Sequence, residues 1–238
     1  MKRTAFFAVI VLVLACRLTA AEEVETKPVT VGQPLPDFTL PAYQGGTVTL
    51  SALRGKNVMI IFPRGYAGEG YWCTICNYKY AELVELERTQ QIQKKYNVEV
   101  LIVLPYGPDV VKAWVDVLPE QLDKVKERKY PADPAKLDEK GKRSMERYRQ
   151  LFPLDLSVKK GEIPTPFPIL IDADRKLSKS LGLFMTEWGD GKADQNIPSV
   201  YIVDAMGTLQ FKYLGQSTVD RPEYGYLFTV LDVLNGAR

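Results

Sequence analysis

Two apolar runs of strand length flank a helical pattern in the first half of the chain, and this order constrains the fold more than any other feature. The runs are Asn57–Phe62, which reads NVMIIF, and Val98–Leu104, which reads VEVLIVL. Both are rich in β-branched residues and almost free of charge, as strands buried on both faces are. Residues 74–96 between them carry apolar side chains at helical spacing, among them Leu83 and Ile92. Strands that alternate with helices in this way predict an α/β sheet with helices on both faces.

Further strand and helix patterns extend this unit at both ends. They predict a hairpin from residues 37–40 and 47–50, a strand over 167–171, a helix over 175–181, a hairpin from 199–203 and 208–214, and a closing helix over 221–235. Tyr226 and Leu227 are among the apolar positions of the closing helix. The predicted architecture is a central mixed sheet with an N-terminal β-hairpin extension.

The pattern is interrupted between residues 119 and 166, where charge replaces apolar periodicity. Residues 120–150 are crowded with Lys, Glu, Asp and Arg, and prolines stand at positions 131 and 134. We interpret residues 119–166 as a charged helical insertion with one exposed face, because they hold too few apolar residues for a core of their own. A charge run of this kind is ordinarily a solvated face, and nothing in the sequence argues for a partner bound there.

The N-terminus has the pattern of a secretory signal. Lys2 and Arg3 precede an apolar run over residues 5–16, and small residues follow as far as Ala21. The run is shorter than the roughly 20 residues that a membrane-spanning helix needs. We therefore expect an exported protein, periplasmic or secreted, with no transmembrane helix in the mature chain. The predicted organisation is a signal over residues 1–21, a tether over 22–30 and one domain over 31–238.

A lipid anchor is the alternative to a cleaved signal. Val13-Leu14-Ala15-Cys16 is similar to the lipobox that directs lipid attachment to a cysteine in bacterial lipoproteins. Leu14 is bulky where a lipobox usually has a small residue, so we favour cleavage after Ala20 or Ala21 over an anchor at Cys16.

The composition excludes several classes of function. Removing residues 1–21 takes away three basic side chains and no acid, so the formal net charge falls from +2 to −1. A nearly neutral domain offers no electrostatic attraction for nucleic acid or for an acidic membrane surface. The chain has no histidine, which excludes Cys–His and Ser–His–Asp catalysis. Two thiolates alone cannot complete a zinc or copper site, so we expect neither a metal nor a cofactor.

Cys73 and Cys76, the two cysteines outside the signal, stand where the loop after the first buried strand meets the start of the helix. A thiol at a helix N-terminus is close to unpaired N–H groups and to the positive end of the macrodipole, which favours the thiolate. Cysteines three residues apart lie one helical turn from each other, so they can form and reopen a disulfide. The order of strand, Cys-x-x-Cys and helix indicates a redox centre.

A set of residues carries a family resemblance from residue 31 onward, apart from the insertion. These are VGQPLPDFTL at residues 31–40, Phe62, Arg64 and Gly65 ahead of Trp72-Cys73, the segment 167–172, Leu181-Gly182-Leu183, the segment 198–204 with Gly207, and Asp220-Arg221-Pro222. On these residues the chain resembles the thioredoxin-like superfamily, in its redoxin or AhpC/TSA (alkyl hydroperoxide reductase/thiol-specific antioxidant) branch. The resemblance implies a thioredoxin-like fold and a thiol-based oxidoreductase.

The resemblance also implies a role for Ile197 and Pro198. In thioredoxin-like proteins a cis X-Pro pair faces the cysteine couple. A cis bond exposes backbone polar groups at a tight turn, where an extended substrate segment can dock. We expect Ile197-Pro198 to be this pair; the alternative is an ordinary trans proline at the start of an edge strand.

Peroxidase activity of the AhpC/TSA type is the alternative function that the resemblance suggests. Peroxiredoxins have a proline and a threonine seven and three residues before the peroxidatic cysteine, and an arginine shortly before the last core strand. Here the corresponding positions are Tyr66, Gly70 and Pro198, which remove the groups that hold and polarise a peroxide. These departures favour dithiol–disulfide exchange, although an activated thiolate with a resolving partner still turns over peroxides slowly.

In the predicted mechanism Cys73, as the more exposed thiol, attacks a substrate disulfide and Cys76 resolves the mixed disulfide. Trp72 would cover one side of the couple or pack beneath the loop, and Arg64 and Glu69 would tune the thiols or remain solvated loop charges. The partners implied are a protein disulfide or a peroxide, and an upstream thiol electron donor. The non-enzymatic rival is a structural Cys73–Cys76 disulfide, which stabilises little because it closes so short a loop.

Overall fold

The computed structural model describes residues 29–236. The strands are β1 (Thr39–Pro41), β2 (Thr47–Thr49), β3 (Asn57–Phe62), β4 (Tyr66–Gly68), β5 (Tyr71–Trp72), β6 (Val98–Leu104), β7 (Ile169–Ile171), β8 (Phe184–Trp188), β9 (Gly191–Asn196), β10 (Ser199–Val203) and β11 (Leu209–Leu214). The helices are α1 (Thr74–Gln90), α2 (Ile92–Lys95), α3 (Pro108–Asp116), α4 (Leu118–Lys129), α5 (Glu139–Leu151), α6 (Lys176–Ser180) and α7 (Tyr224–Leu234). The predicted signal and lipobox lie outside the described residues.

Five strands form the central sheet in the order β11–β10–β3–β6–β7. β3 pairs parallel with β6, and β6 pairs parallel with β7, as strand–helix–strand connections require. β10 pairs antiparallel with β3 on one side and with β11 on the other. The sheet is therefore mixed, and its strands β3 and β6 have the bounds that the two apolar runs predict.

Alternate residues of the central strands point to opposite faces of the sheet, and each face has its own core. Met59 of β3 and Val100 of β6 pack on the face that α1, α3, α4 and α7 cover. Val58 and Leu101 pack on the other face, together with Leu177 of α6 and the segment before β3. Helices thus cover both faces, and the predicted α/β architecture is confirmed.

Two helices differ from the sequence prediction. The helix predicted over residues 74–96 is broken at Gln91, whose φ of 50° and ψ of 53° place it in the left-handed region. The prediction that Tyr226 belongs to the apolar face of α7 is wrong, because this side chain is exposed. The helical period rotates it away from the buried positions. The buried face of α7 consists of Tyr224, Leu227, Phe228 and Leu231.

The charged segment forms α4, α5 and an extended strap over residues 152–168. α4 packs against α1, and α5 packs on α4 without a fully buried residue of its own. Two tyrosines of α1 hold the strap. The hydroxyl of Tyr78 accepts a hydrogen bond from the N–H of Leu154 (2.7 Å), and the hydroxyl of Tyr80 donates to the carbonyl of Pro164 (2.9 Å). The segment is therefore built onto the same folded unit.

Two short hairpins have no counterpart in the sequence prediction. β4 and β5 form one inside the expanded loop before Cys73, with Gly70 at a φ of 72° in its turn. β8 and β9 form the other between α6 and β10, and a bridge between Gly65 and Gln195 links the two. Their residues mix polar, aromatic and glycine positions, so the strict alternation that marks a strand is missing.

The first described residues pack on the domain. Val29 is buried, and its carbonyl accepts a hydrogen bond from Nζ of Lys212 at 2.8 Å. The end of the segment predicted as a tether is thus part of the folded unit. Between residues 29 and 236, no helix combines the length and the apolar character that crossing a membrane requires.

Candidate redox site

Cys73 and Cys76 form a disulfide at the N-terminus of α1, with their Cα atoms 5.3 Å apart. β5 ends at Trp72, Cys73 occupies the N-cap position with extended backbone, and the helix begins at Thr74. The N–H groups of Cys76 and Asn77 bond to the carbonyl of Cys73 at 3.0 and 3.2 Å. The N–H groups ahead of them have no partner within the helix, so a thiolate formed at Cys73 would lie at the positive end of the macrodipole.

Both cysteines are almost completely buried, and the expectation that Cys73 is the more exposed thiol is wrong. The exposed fraction is 3% for Cys73 and 5% for Cys76. Trp72 stands on one side of Cys73, and α5 and the loop after β11 stand on others. A substrate therefore has to enter a cavity before it reaches either sulfur.

The two cysteines line different cavities. Cys73 lies in an open groove of about 430 Å³, whose other walls include α5 and the turn between β8 and β9. Cys76 lies in a smaller, mostly apolar cavity of about 40 Å³, together with Lys79, Pro198 and Arg221. The groove has the size of a site for an organic ligand, whereas the second cavity has room for only a few water molecules. Cys73 is therefore the sulfur that an organic substrate can approach.

Arg221 brings a positive charge to the disulfide. Its Nη2 lies 3.2 Å from Sγ of Cys76 and 3.5 Å from Sγ of Cys73. The ion pairs among residues 29–236 do not include Arg221. Desolvation lowers the pKa of its guanidinium to about 10, so the group stays protonated at neutral pH. A cation that faces two sulfurs without a carboxylate partner stabilises a thiolate once the disulfide is reduced.

Asp220 connects this arginine to the sheet. Nη1 of Arg221 donates to the backbone carbonyl of Asp220 at 2.6 Å. The carboxylate of Asp220 accepts hydrogen bonds from the hydroxyl of Tyr213 and from the N–H of Gln216. The bond to Asp220 raises the pKa of Tyr213 to about 12. The guanidinium is thus positioned by a network that begins on β11.

Arg64 is buried, so the alternative that it is a solvated loop charge is wrong. Its exposed fraction is 3%, and its Nε donates to Oε1 of Gln195 at 2.5 Å. Nη2 donates to one backbone carbonyl in each of the two hairpins, at 3.1 and 3.3 Å, and lies 3.9 Å from the carboxylate of Asp190. Desolvation lowers the pKa of Arg64. Its charge also adds to the positive field at Arg221.

Trp72 combines both roles considered for it. It lines the groove beside Cys73 and stacks on Tyr66, with ring centroids 4.0 Å apart. Glu69 is exposed at the turn between β4 and β5 and lines a separate cavity with Lys192. The structure therefore brings Trp72, but not Glu69, into the groove at the disulfide.

The prediction of a cis bond between Ile197 and Pro198 is wrong, since no peptide bond of residues 29–236 is cis. The N–H of Ile197 donates to the carbonyl of Leu183 at 2.7 Å, and the carbonyl of Pro198 accepts from the N–H of Gly215 at 2.8 Å. These bonds hold the segment extended between β9 and β10, where the generally favoured trans isomer fits. Pro198 nevertheless lies in the cavity with Cys76.

No three His, Cys, Asp or Glu side chains between residues 29 and 236 cluster as metal ligands would. The acidic pair Asp172 and Asp174 belongs to a turn. The buried carboxylate of Asp172 accepts hydrogen bonds from the N–H groups of Leu177 and Ser178 at the start of α6. Burial raises its pKa.

Two contributions to the site are not predicted from the sequence. Arg221 follows Cys76 by 145 residues, and only its place among the matching residues singled it out. Ser144, Arg147 and Tyr148 line the groove, although the charge pattern of their segment predicts a solvated face. Folding, not spacing along the chain, brings both groups to the cysteines.

Comparison with known proteins gives one family match. The model of the AhpC/TSA family matches residues 31–212. None of the curated protein sequences matches this chain. The family match thus covers the Cys-x-x-Cys helix and the sheet as far as the middle of β11, and it ends before the loop that carries Arg221.

Solved structures show the same fold at low identity. The chain is similar to a cysteine-to-serine mutant of the peroxiredoxin 6 of Arenicola marina, with a TM-score of 0.55 and 16% identity over 87% of this chain and 74% of that chain. It is also similar to the reduced 2-Cys peroxiredoxin of Plasmodium vivax, with a TM-score of 0.53 and 16% identity over 88% of this chain and 83% of that chain. The likeness confirms the predicted thioredoxin-like fold.

Proposed function

Since the chain belongs to the AhpC/TSA family, we propose that it is a thiol–disulfide oxidoreductase with Cys73 as nucleophile and Cys76 as resolving cysteine. The observation that carries the proposal is Arg221, whose guanidinium faces both sulfurs without a carboxylate partner. A permanent structural disulfide gains nothing from this cation, because a disulfide is neutral. A redox-active pair does gain, because its reduced form carries a thiolate.

The reaction begins with the reduced protein. The thiolate of Cys73 attacks one sulfur of a substrate disulfide, and the other substrate sulfur leaves as a thiolate. Cys76 then loses its proton and attacks Sγ of Cys73, which releases the second substrate thiolate. The substrate disulfide gains two electrons, and the protein dithiol becomes a disulfide. Arg221 contacts both sulfurs, so it stabilises whichever of them is anionic at each stage. A thiol electron donor restores the dithiol.

The two cavities support this division of roles. Cys73 faces the groove, where an organic disulfide has room to align with the attacking sulfur. Cys76 faces a cavity of about 40 Å³, which is too small for such a substrate. The resolving sulfur is therefore shielded from substrate and reacts only within the protein.

The reduction potential of the Cys73–Cys76 couple tests the proposal. Equilibration against glutathione buffers should give a reversible couple between about −120 and −270 mV. A potential below about −300 mV would identify a structural disulfide and overturn the proposal. The roles are tested by trapping: Cys76→Ser should accumulate a mixed disulfide on Cys73, whereas Cys73→Ser should form none.

Thiol peroxidase activity is a second candidate, and Arg221 also favours it. The position where peroxiredoxins have an arginine holds Pro198, but Arg221 supplies a guanidinium to the sulfurs from another part of the chain. In this reaction the Cys73 thiolate attacks the O–O bond, releases water or an alcohol, and becomes a sulfenic acid. Cys76 condenses with the sulfenic acid, which forms the disulfide and releases water. Hydrogen peroxide should then oxidise the reduced protein faster than it oxidises a free thiol of matched pKa; equal rates would rule out a dedicated peroxidase.

We also propose that the protein acts outside the cytosol. The support is the signal pattern of residues 1–21, which precedes the domain. Cell fractionation with N-terminal sequencing of the mature protein tests this: a new N-terminus near residue 22 supports cleavage, and an intact N-terminus in the cytosol contradicts export. A blocked N-terminus at Cys16 would instead indicate the lipid anchor.

A further inference from the structure

We propose that the groove beside Cys73 binds low-molecular-weight disulfides that carry a carboxylate, and that Arg147 of α5 recognises this carboxylate. The proposal rests on the oxidoreductase function proposed above and names its substrate class. It assigns a specificity-determining role to the charged segment, whose function is otherwise unassigned.

The insertion supplies one complete wall of the groove. Ser144, Arg147, Tyr148 and Leu151 follow each other at helical spacing along one side of α5, and all of them line the groove. Other lining residues are Trp72, Cys73, Thr74 and Ile75, at the start of α1. α5 therefore forms part of the groove that reaches the nucleophile.

Size and access favour a small substrate. The groove measures about 430 Å³, within the range of roughly 300–1,000 Å³ that is typical of sites for small ligands. Cys73 lines this groove and is only 3% exposed, so a flat protein surface has little access to it. A molecule that enters the groove with its disulfide foremost can reach it.

The charges of the groove favour an anion. Arg147 is exposed at the rim and forms no ion pair or hydrogen bond with residues 29–236. Two other cations of α5 are paired within the helix, Lys142 with Glu139 at 3.0 Å and Arg149 with Glu146 at 3.8 Å. Lys140 and Arg143 form no ion pair within the described part of the chain, but they do not line the groove. Asp190 is the acid among the lining residues, and its carboxylate lies 3.9 Å from Nη2 of buried Arg64. Among the lining cations, Arg147 is thus the one without an acidic partner in residues 29–236, and a substrate carboxylate can form an ion pair with it.

The recognition leaves the chemistry of exchange unchanged. The Cys73 thiolate attacks the disulfide of the bound molecule, one half leaves as a thiolate, and Cys76 displaces the other half from Cys73. The acidic disulfide is reduced to two thiols, and the protein dithiol is oxidised to the disulfide. Arg147 holds the carboxylate and takes no part in the electron transfer.

The test compares three small disulfides with the reduced full-length protein: glutathione disulfide, which is anionic, cystamine, which is cationic, and hydroxyethyl disulfide, which is neutral. Oxidation is followed by acid quenching and alkylation of the remaining thiols. The rates with the two charged disulfides are each normalised to the rate with the neutral one. Arg147→Glu should lower the ratio of the anionic to the cationic rate about fivefold or more, the scale of a reversed ion pair. Lys142→Glu, which makes the same charge change about 140° around α5, should leave the ratio near its wild-type value.

The outcomes separate this inference from the function on which it rests. An equal ratio in wild-type protein and Arg147→Glu, or an equal fall in Lys142→Glu, overturns the role of Arg147. Reaction with protein disulfides but with none of the three small ones overturns the substrate class and leaves the oxidoreductase function intact. Failure to react with any disulfide overturns the proposed function itself. Circular dichroism of each variant checks that α5 is retained.

Discussion

Nη2 of Arg221 lies 3.2 Å from Sγ of Cys76, with no carboxylate between residues 29 and 236 paired to it. In the oxidised protein this guanidinium has lost part of its hydration and faces a neutral disulfide. Reduction places a negative charge beside it, so the reduced form gains an interaction that the oxidised form lacks. Such an arrangement makes the disulfide easier to reduce.

Replacing Arg221 should therefore shift the redox equilibrium. We expect Arg221→Gln to make the reduction potential more negative by about 30 mV or more, which corresponds to about 1.4 kcal/mol for a two-electron couple. The thiolate absorbance of the reduced protein should appear at higher pH than in wild type, because the thiol loses its cation. Arg221→Lys should retain part of both effects. An unchanged potential in Arg221→Gln would show that the guanidinium does not act on the couple.

The bond between Tyr213 and Asp220 makes stability sensitive to alkaline pH. It raises the pKa of Tyr213 to about 12, above the ordinary value of 10.0. The unfolded state therefore loses this proton first as the pH rises, and the contribution of the bond, complete below pH ~10, is lost between pH ~10 and ~12. The slope is at most about 1.4 kcal/mol per pH unit, and solvent screening reduces it because Tyr213 is partly exposed.

Urea unfolding at several pH values between ~9 and ~11 measures this effect. Tyr213→Phe should lose stability below pH ~10 and should show a shallower decline above it than the wild type does. Burial raises the pKa of Tyr201 to about 12, so the stability that Tyr201 contributes also falls as the pH rises. This fall is the same in both proteins, because both contain Tyr201. Parallel curves for the two proteins would contradict the assignment to Tyr213.

Gly191 is required by the packing of the two hairpins. A Cβ at this position would overlap Nη2 of Arg64 and the carbonyl oxygen of Ala67. We expect Gly191→Ala to destabilise the protein by about 1–3 kcal/mol, as overpacking of a buried site does. Gly225→Ala is the matched control, since a Cβ there meets nothing and alanine favours the helix. Chemical denaturation measures the free energy of unfolding of both variants. Equal values for the two variants would contradict a packing requirement for glycine at position 191.

Thr74 connects the active-site turn to the insertion. Its hydroxyl donates to Oε1 of Gln121 on α4 at 2.7 Å, and Gln121 is buried. Thr74→Val should cost about 1–3 kcal/mol of unfolding free energy, because the buried amide oxygen loses its partner. Thr229→Val, which removes an exposed bond to Gly225, should cost less. Denaturant midpoints measure the difference, and an equal loss in both variants would argue against a special role for Thr74.

Much of the sheet follows from local patterns. The bounds of β3 and β6 can be predicted from the sequence, because an uninterrupted apolar run such as NVMIIF is stable only where it is buried. The hairpin of β8 and β9 cannot be predicted in this way. Gln195 and Asn196 are fully buried there, and polar residues break the alternation on which the prediction depends.

The site was predictable only where chemistry is local. The spacing of Cys73 and Cys76 and their position at the start of a helix are enough to predict a redox pair. Arg221 does not, because its role depends on where the loop after β11 lies in space. The isomer of Pro198 also depends on non-local contacts: the family pattern predicts a cis bond, whereas the hydrogen bonds of this segment to Leu183 and Gly215 fit a trans bond.

The position of α5 at the surface bears on which substitutions this protein can accept. α5 contributes no fully buried residue, whereas the disulfide and Arg221 depend on α1 and the loop after β11. We expect substitutions along the groove side of α5 to alter which disulfides enter without altering the couple that donates the electrons. On the proposed function, substrate range and redox potential would therefore vary independently of each other, and relatives that differ in this helix would share one chemistry while reducing different disulfides.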